Sequence, residues 1–403
     1  MPVDGFDPLD FHLFHREELE RRLRDGRGRS AGRAAVKLGS LALQLPDGAA
    51  YRYVPSDAGV DIVVGDDGAT TVIELDVEAW EGLVYDYESA PGLLYANRVR
   101  CRRGDAMRFV QWEPSLRRLY TGLEIYDGSA LDLRDRHGAP LDCTRTFSLD
   151  DPAKDMGHFL RTAGYLLVRG VFSAAEIDVL LGEARVLAGE ARPGDKLSWW
   201  SKDAGGREVL CRVTRAAAKP RLASLPDDTR VLALAGLART PLVHRDGEGN
   251  GVTVIFKNPG IHQGLSDLPW HRDCGLGGHA LMCPTLIVSV YLTRATQETG
   301  ELRFLPGSWN RACAFAEASD PRAPRGVSFA AEPGDVSVHF GDVLHAAPPP
   351  TRDDLDAYRI SAITGFAPPS SRVHRGKSYN EALHRRDDGQ IEHLAQVAQN
   401  TER

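Results

Sequence analysis

Between Gly251 and Phe366 the chain reads as a series of short apolar runs: VTVIF (252–256), TLIVSVYL (285–292), ELRFL (301–305), VSVHF (336–340) and RISAITGF (359–366). All but ELRFL are rich in β-branched and aromatic residues, and Gly or Pro breaks the text between them. Short, evenly punctuated strands of this kind suggest a sandwich or barrel of jelly-roll type.

Inside this region, Pro269-Trp-His-Arg-Asp273 follows a strand and precedes a Gly-rich loop. Side chains alternate along an extended segment, so His271 and Asp273 face the same way and can reach one metal ion together. A third ligand must come from elsewhere, and His345, at the end of GDVLH before a Pro-rich turn, is well placed. Two imidazoles and one carboxylate on one side of an ion leave the opposite positions open, the pattern expected of Fe(II) oxygenases. An HxD tripeptide alone is common, but an ordered set follows this one. Gly300-Glu-Leu-Arg-Phe-Leu-Pro-Gly-Ser308 enters a tight turn, Glu332-Pro-Gly-Asp335 opens the strand that leads to His345, and Arg359 begins RISAITGF. A guanidinium there can hold a carboxylate with two charge-assisted hydrogen bonds.

The parts PWHRD, GELRFLPGSW, PGDVSVHFGDVLH and YRISAITGF resemble the phytanoyl-CoA dioxygenase family over roughly residues 150–370. That resemblance implies a double-stranded β-helix flanked by helices. It implies Fe(II) on His271, Asp273 and His345, and 2-oxoglutarate as cosubstrate on Arg359, with Thr253 beside it. It also implies O2 as oxidant, ascorbate as reductant in vitro, and release of succinate and CO2 as a C–H bond is oxidised. Hydroxylation is the expected outcome; desaturation, cyclisation or epoxidation draws on the same chemistry. Halogenating relatives carry a small residue where Asp273 stands. The chain departs from the family pattern at Ala346-Ala347 after the second His, at Ser289 where an aromatic is frequent, and at Trp309 ending PGSW. These changes bear on the cosubstrate contacts and the pocket shape.

Other residues near the motif have plainer readings. His339 faces opposite to Val338 and Phe340 and competes with His345 as a ligand, although family spacing favours His345. His279 lies in a Gly-rich loop, Cys274 and Cys283 read as small core fillers, Trp199-Trp200 as packing, and Arg272 should point away from the metal.

The first third of the chain reads as α+β. Val60, Ile62 and Val64 alternate, GDDGA supplies a turn, and TTVIEL resumes, which is a hairpin signal. Asp76 can cap a helix carrying Trp80, Leu83 and Val84. A strand within 96–105 closes on Gly104-Asp105, and an amphipathic helix follows from Met107, interrupted near Pro114. Residues 35–125 are similar to the SCP2 sterol-carrier family, with Asn97 standing where that family has Gly. The resemblance implies an apolar lipid tunnel and a first domain, 1–130, that delivers a hydrophobic small molecule to the second. A linker is expected over 131–155, the oxygenase domain over 156–385 and a polar tail over 386–403.

The formal charge of -7 argues against a nucleic-acid surface. Six cysteines without CxxC spacing form neither a zinc site nor a disulfide framework, which suits a reducing compartment. With no signal core and no spanning segment, a cytoplasmic protein with no membrane span is expected. The competing reading is a lipid-binding scaffold with an inactive oxygenase domain.

Overall fold

The computed structural model describes residues 6–203, 205–244, 251–261, 268–273, 280–281, 285–316, 323–369, 372–373 and 393–401. The first domain is α+β. Its strands β1 (Leu41–Gln44), β2 (Ala50–Pro55), β3 (Val60–Val64), β4 (Thr71–Leu75) and β5 (Val99–Arg103) form one sheet in the order β3-β2-β1-β4-β5. The expected hairpin of β3 with β4 does not form. β3 pairs with β2, whereas β4 crosses to the other side of β1 and runs parallel to it. Burial explains the exchange. β4 is buried along nearly its whole length and needs neighbours on both sides, while Val63 and Val64 of β3 are exposed, as suits an edge.

Asp76 caps the helix Val77–Val84 by accepting the Ala79 N–H at 2.7 Å, and Asn97 turns the chain at φ 54°. The helix Ala106–Thr121 is not interrupted but runs through Pro114. Burial of Phe109, Val110 and Trp112 before the proline, and of Leu116, Leu119 and Tyr120 after it, outweighs the roughly 3 kcal/mol that an internal proline costs.

Phe11, Phe14, Tyr51, Tyr53, Trp80, Trp112 and Tyr120 pack inside this domain with His15 among them. The His15 Nδ1–H donates to the Phe11 carbonyl at 2.6 Å, and Nε2 accepts from the Tyr53 hydroxyl at 2.7 Å, which lies 2.6 Å from that of Tyr120. Burial pushes the imidazole down to about 4. Below pH 6.5 the unfolded chain takes up a proton that the folded one refuses, so stability falls as the pH drops from there to about 4. We expect urea unfolding to show roughly 2–3 kcal/mol less stability at pH 4.5 than at pH 7 from this group. His15→Leu should flatten that slope; an unchanged slope would remove His15 as its origin.

The second domain contributes β6 (Phe147–Ser148), β7 (Tyr165–Arg169), β8 (Ser198–Lys202), β9 (Glu208–Val213), β10 (Val243–His244), β11 (Val252–Phe256), β12 (Leu268–His271), β13 (Ala280–Leu281), β14 (Leu286–Tyr291), β15 (Arg303–Phe304), β16 (Val327–Ser328), β17 (Val336–Phe340), β18 (His345–Ala347), β19 (Ile360–Ala367) and β20 (Arg372–Val373). The major sheet has the order β6-β7-β17-β14-β19-β11-β9-β8, with β10 also on β19; the minor sheet is β12-β18-β15-β16. On one face of the major sheet Val254, Val288, Val338 and Phe366 share a core with Leu160, Ile177, Leu180 and Ala184 of the helices Ala153–Ala163 and Ala174–Glu190. The second helix opens with the expected capping box of Ser173 and Glu176. The other face meets the minor sheet, where Tyr165 stacks on Phe304 at 4.6 Å. This pair of sheets is in keeping with a double-stranded β-helix.

Within the stretch expected as a linker, Phe147 and Ser148 join the edge of the major sheet, and Phe147 is buried in the second core. The expected polar tail also contains more than solvated chain. Leu394–Thr401 is a helix whose Leu394 and Ala398, one turn apart, are buried in the first domain's core. A polar composition concealed this single apolar stripe. Among the described residues, no helix is long and apolar enough to cross a membrane.

Candidate metal centre

β12 and β18 pair antiparallel, setting His271 directly opposite His345 with ring centroids 4.2 Å apart. The Asp273 N–H donates to the Gly341 carbonyl at 2.9 Å, which fixes the residue beyond β12 against the turn before β18. One ligand atom each from His271, Asp273 and His345 then lie within 4.8 Å of one another. Asp273 Oδ1 is 3.7 Å from His271 Nε2 and 3.6 Å from His345 Nε2. His345 donates from Nδ1 to the Val343 carbonyl at 3.0 Å, which turns Nε2 toward the carboxylate.

The protonation states suit metal binding. Burial, reinforced by the neighbouring His271, holds His345 down at about 3, so its imidazole is neutral and can ligate at neutral pH. Burial works against the Asp273 carboxylate, but His345, His271 and His339 around it win and hold it well below the usual carboxylate range. Two imidazoles and one carboxylate match a first-row divalent ion such as Fe(II).

His339 faces away from Val338 and Phe340 as alternation requires, and its Nε2 lies 3.3 Å from the second carboxylate oxygen, Oδ2. It therefore meets the carboxylate oxygen other than the one nearest His271 and His345, with its ring centroid 4.7 Å from that of His345. Its Nδ1 is buried without a hydrogen-bond partner among the described residues.

Arg359 immediately precedes β19. Its N–H donates to the Thr299 carbonyl and its own carbonyl accepts from the Lys257 N–H, both at 2.9 Å. The side chain is buried, with Nε lacking a partner among the described residues. Burial lowers its pKa, while Tyr291 and Glu301 act in the opposite direction. Residues opposite one another in an antiparallel sheet share a face. The pairs Ser337↔Ser289, Ser289↔Ile363, Thr253↔Ile363 and Tyr291↔Ser361 therefore align one face, and Arg359 and His339 have the same parity. Thr253 is half-buried there, with its hydroxyl 3.5 Å from Arg212 Nη2. The Tyr291 hydroxyl lies 3.2 Å from Ser337 Oγ.

This buried polar face is what sequence reasoning missed. Its signal was present, since Ser289, Ser337 and Ser361 interrupt otherwise apolar strands in phase with one another. Arg272 points away from the site, as expected. Trp199 is buried packing beneath the Arg212 guanidinium, 4.2 Å from the ring centroid. Cys274, His279 and Cys283 lie outside the described residues.

Comparison with known proteins gives a family match over about half of the chain. The profile of the phytanoyl-CoA dioxygenase (PhyH) family matches residues 160–354, leaving the first domain outside the match. No curated protein matches the chain. Among solved structures, EvdMO1 is 22% identical with a TM-score of 0.42, over 53% of this chain and 50% of its own, so the match spans half of EvdMO1's length. AviO1 from Streptomyces viridochromogenes Tue57 is 23% identical with a TM-score of 0.44, over 55% of this chain and 97% of its own. SnoK, a non-heme alpha-ketoglutarate-dependent carbocyclase from nogalamycin biosynthesis, is 20% identical with a TM-score of 0.44, over 62% of this chain and 98% of its own. The phytanoyl-CoA dioxygenase family model thus matches the segment, residues 160–354, that carries all three converging ligands.

Proposed function

We propose that this chain is an Fe(II)- and 2-oxoglutarate-dependent oxygenase that hydroxylates an unactivated C–H bond of a small, largely apolar substrate. The observation that carries the reading is the convergence of His271, Asp273 and His345 at a buried sheet face that also bears Arg359. An inert core has no use for that combination, because a buried guanidinium and buried hydroxyls cost free energy unless something satisfies them. The bound iron would supply oxygen activation coupled to decarboxylation of the 2-oxo acid. The chain's own contribution is positional. His345 presents a neutral Nε2, Asp273 supplies the one negative charge, and Arg359 offers donors to the far carboxylate of the cosubstrate. Tyr291, Ser337 and Thr253 line the same face and would orient what binds there.

The test is succinate formation from labelled 2-oxoglutarate with Fe(II) and ascorbate, across a library of apolar metabolites. At least one compound should stimulate turnover in the wild type and not in His271→Ala. If no compound lifts the wild type above that variant, the oxygenase reading fails.

A further inference from the structure

Arg272 stands between two ligands, and its side chain leaves the metal site toward the first domain. There it is almost fully buried and held at two points. Nη2 donates to Glu113 Oε1, and Nη1 donates to Asp342 Oδ1 at 3.3 Å. Glu113 lies on the helix Ala106–Thr121 of the first domain, 159 residues away in sequence. Its other oxygen accepts the Ala90 N–H at 3.0 Å, at the start of the helix Ala90–Tyr95. Asp342 sits in the turn between β17 and β18, shortly before His345. One guanidinium therefore ties together the two segments that carry all three ligands and fastens both to the first domain.

The surroundings restrict it further. One helical turn after Glu113, Arg117 holds Asp86 through two hydrogen bonds of 2.7 Å each, so the face of the helix turned to the boundary is itself braced. A cavity of about 30 Å³, large enough for a water molecule, adjoins the pair. Pro91, Val110 and Glu113 line it from the first domain, and Trp270, His271 and Arg272 from the second. His271 thus belongs both to the metal site and to the domain boundary.

We propose that the first domain is a structural part of the metal centre, with Glu113 acting through Arg272 as a positioning residue for His271 and Asp273. The inference rests on the metal reading above. Loss of the Glu113 carboxylate would leave a buried guanidinium with Asp342 alone, and breaking one side of such a pair is costly. Arg272 must then withdraw toward another partner or water, and the backbone of its two neighbours moves with it. Deleting the first domain is a poor test, since it would expose the whole boundary at once. A single isosteric substitution is cleaner.

The experiment titrates Co(II) into full-length metal-free protein, reading its visible absorption and, in parallel, the melting temperature. Glu113→Gln should weaken Co(II) binding about 10–100-fold and alter the ligand-field bands, as loss of outer-shell support does elsewhere. Glu113→Gln combined with Arg272→Met should be no worse than the weaker-binding single variant, because the two act as one unit. Glu113→Asp, which keeps the charge one methylene short, covers the case in which the glutamine variant fails to fold, and several-fold weakening is expected of it. The control is Arg102→Ala, at an exposed ion pair with Glu74 on the first domain, which should bind Co(II) as the wild type does. A lowered melting temperature with Co(II) affinity within about two-fold of wild type would overturn the inference and leave Glu113 as domain packing. If the wild type itself binds no Co(II), or His271→Ala binds it equally well, the metal reading falls and takes this inference with it.

Discussion

Replacing Asp273 with alanine is expected to remove substrate-dependent turnover and to weaken Co(II) or Fe(II) binding by more than the roughly 10–100-fold that loss of an outer-shell partner costs. The reason lies in the charge balance of the cluster. His271, His339 and His345 gather around this carboxylate, and burial keeps His345 neutral, so Asp273 carries the anionic charge at the point where the ligand atoms converge. Without it a divalent ion would meet imidazoles alone. The melting temperature of the metal-free protein should fall only modestly: the contacts that hold this carboxylate below its usual range are lost, but the side chain is about a third exposed and anchors no apolar core. Isothermal titration of metal and a thermal melt on the same preparation separate the two effects. A variant that binds metal normally would remove Asp273 from the ligand set and shift attention to His339, whose Nε2 already lies 3.3 Å from the position vacated.

What could be read from the text depended on whether the deciding interaction was local. The HxD parity, the caps at Asp76 and Ser173 and the left-handed Asn97 are set by residues within a few positions of one another, and the structure retains each of them. The expected β3–β4 hairpin does not form: turn chemistry between two runs says nothing of which partner each edge finally takes. There the deeper burial of β4 prevailed over chain proximity. Pro114 suggests a break because its cost is local, whereas the burial that offsets it comes from tertiary packing on both sides. The bond from Glu113 to Arg272 spans 159 residues and has no sequence signature at all. The strand text could say that Arg272 points away from the metal, but not that the first domain receives it.

Arg359→Met should separate cosubstrate binding from everything else the site does. If the guanidinium holds the distal carboxylate of 2-oxoglutarate, its loss removes a buried charge-assisted pair worth about 2–4 kcal/mol, so the KM for 2-oxoglutarate should rise roughly 30- to 1,000-fold. Metal affinity should be unaffected, since Arg359 supplies no ligand atom to the cluster. The cosubstrate-free protein should not be destabilised. Arg359 is buried with Nε unpartnered among the described residues, so an apolar side chain of similar length relieves a desolvation penalty that Tyr291 and Glu301 offset only in part. Two melts expose the contrast: 2-oxoglutarate should raise the melting temperature of the wild type and leave that of the variant where it was. A second guanidinium sets the alternative. Arg212 pairs across from Ile255, shares the face of Thr253 and lies 3.5 Å from its hydroxyl. Its place over the Trp199 ring commits it to packing, so Arg212→Met should lower stability while leaving the KM for 2-oxoglutarate within a few-fold. Should the two variants exchange behaviours, the carboxylate belongs to Arg212, and the cosubstrate would have to lie toward β9 rather than against the start of β19.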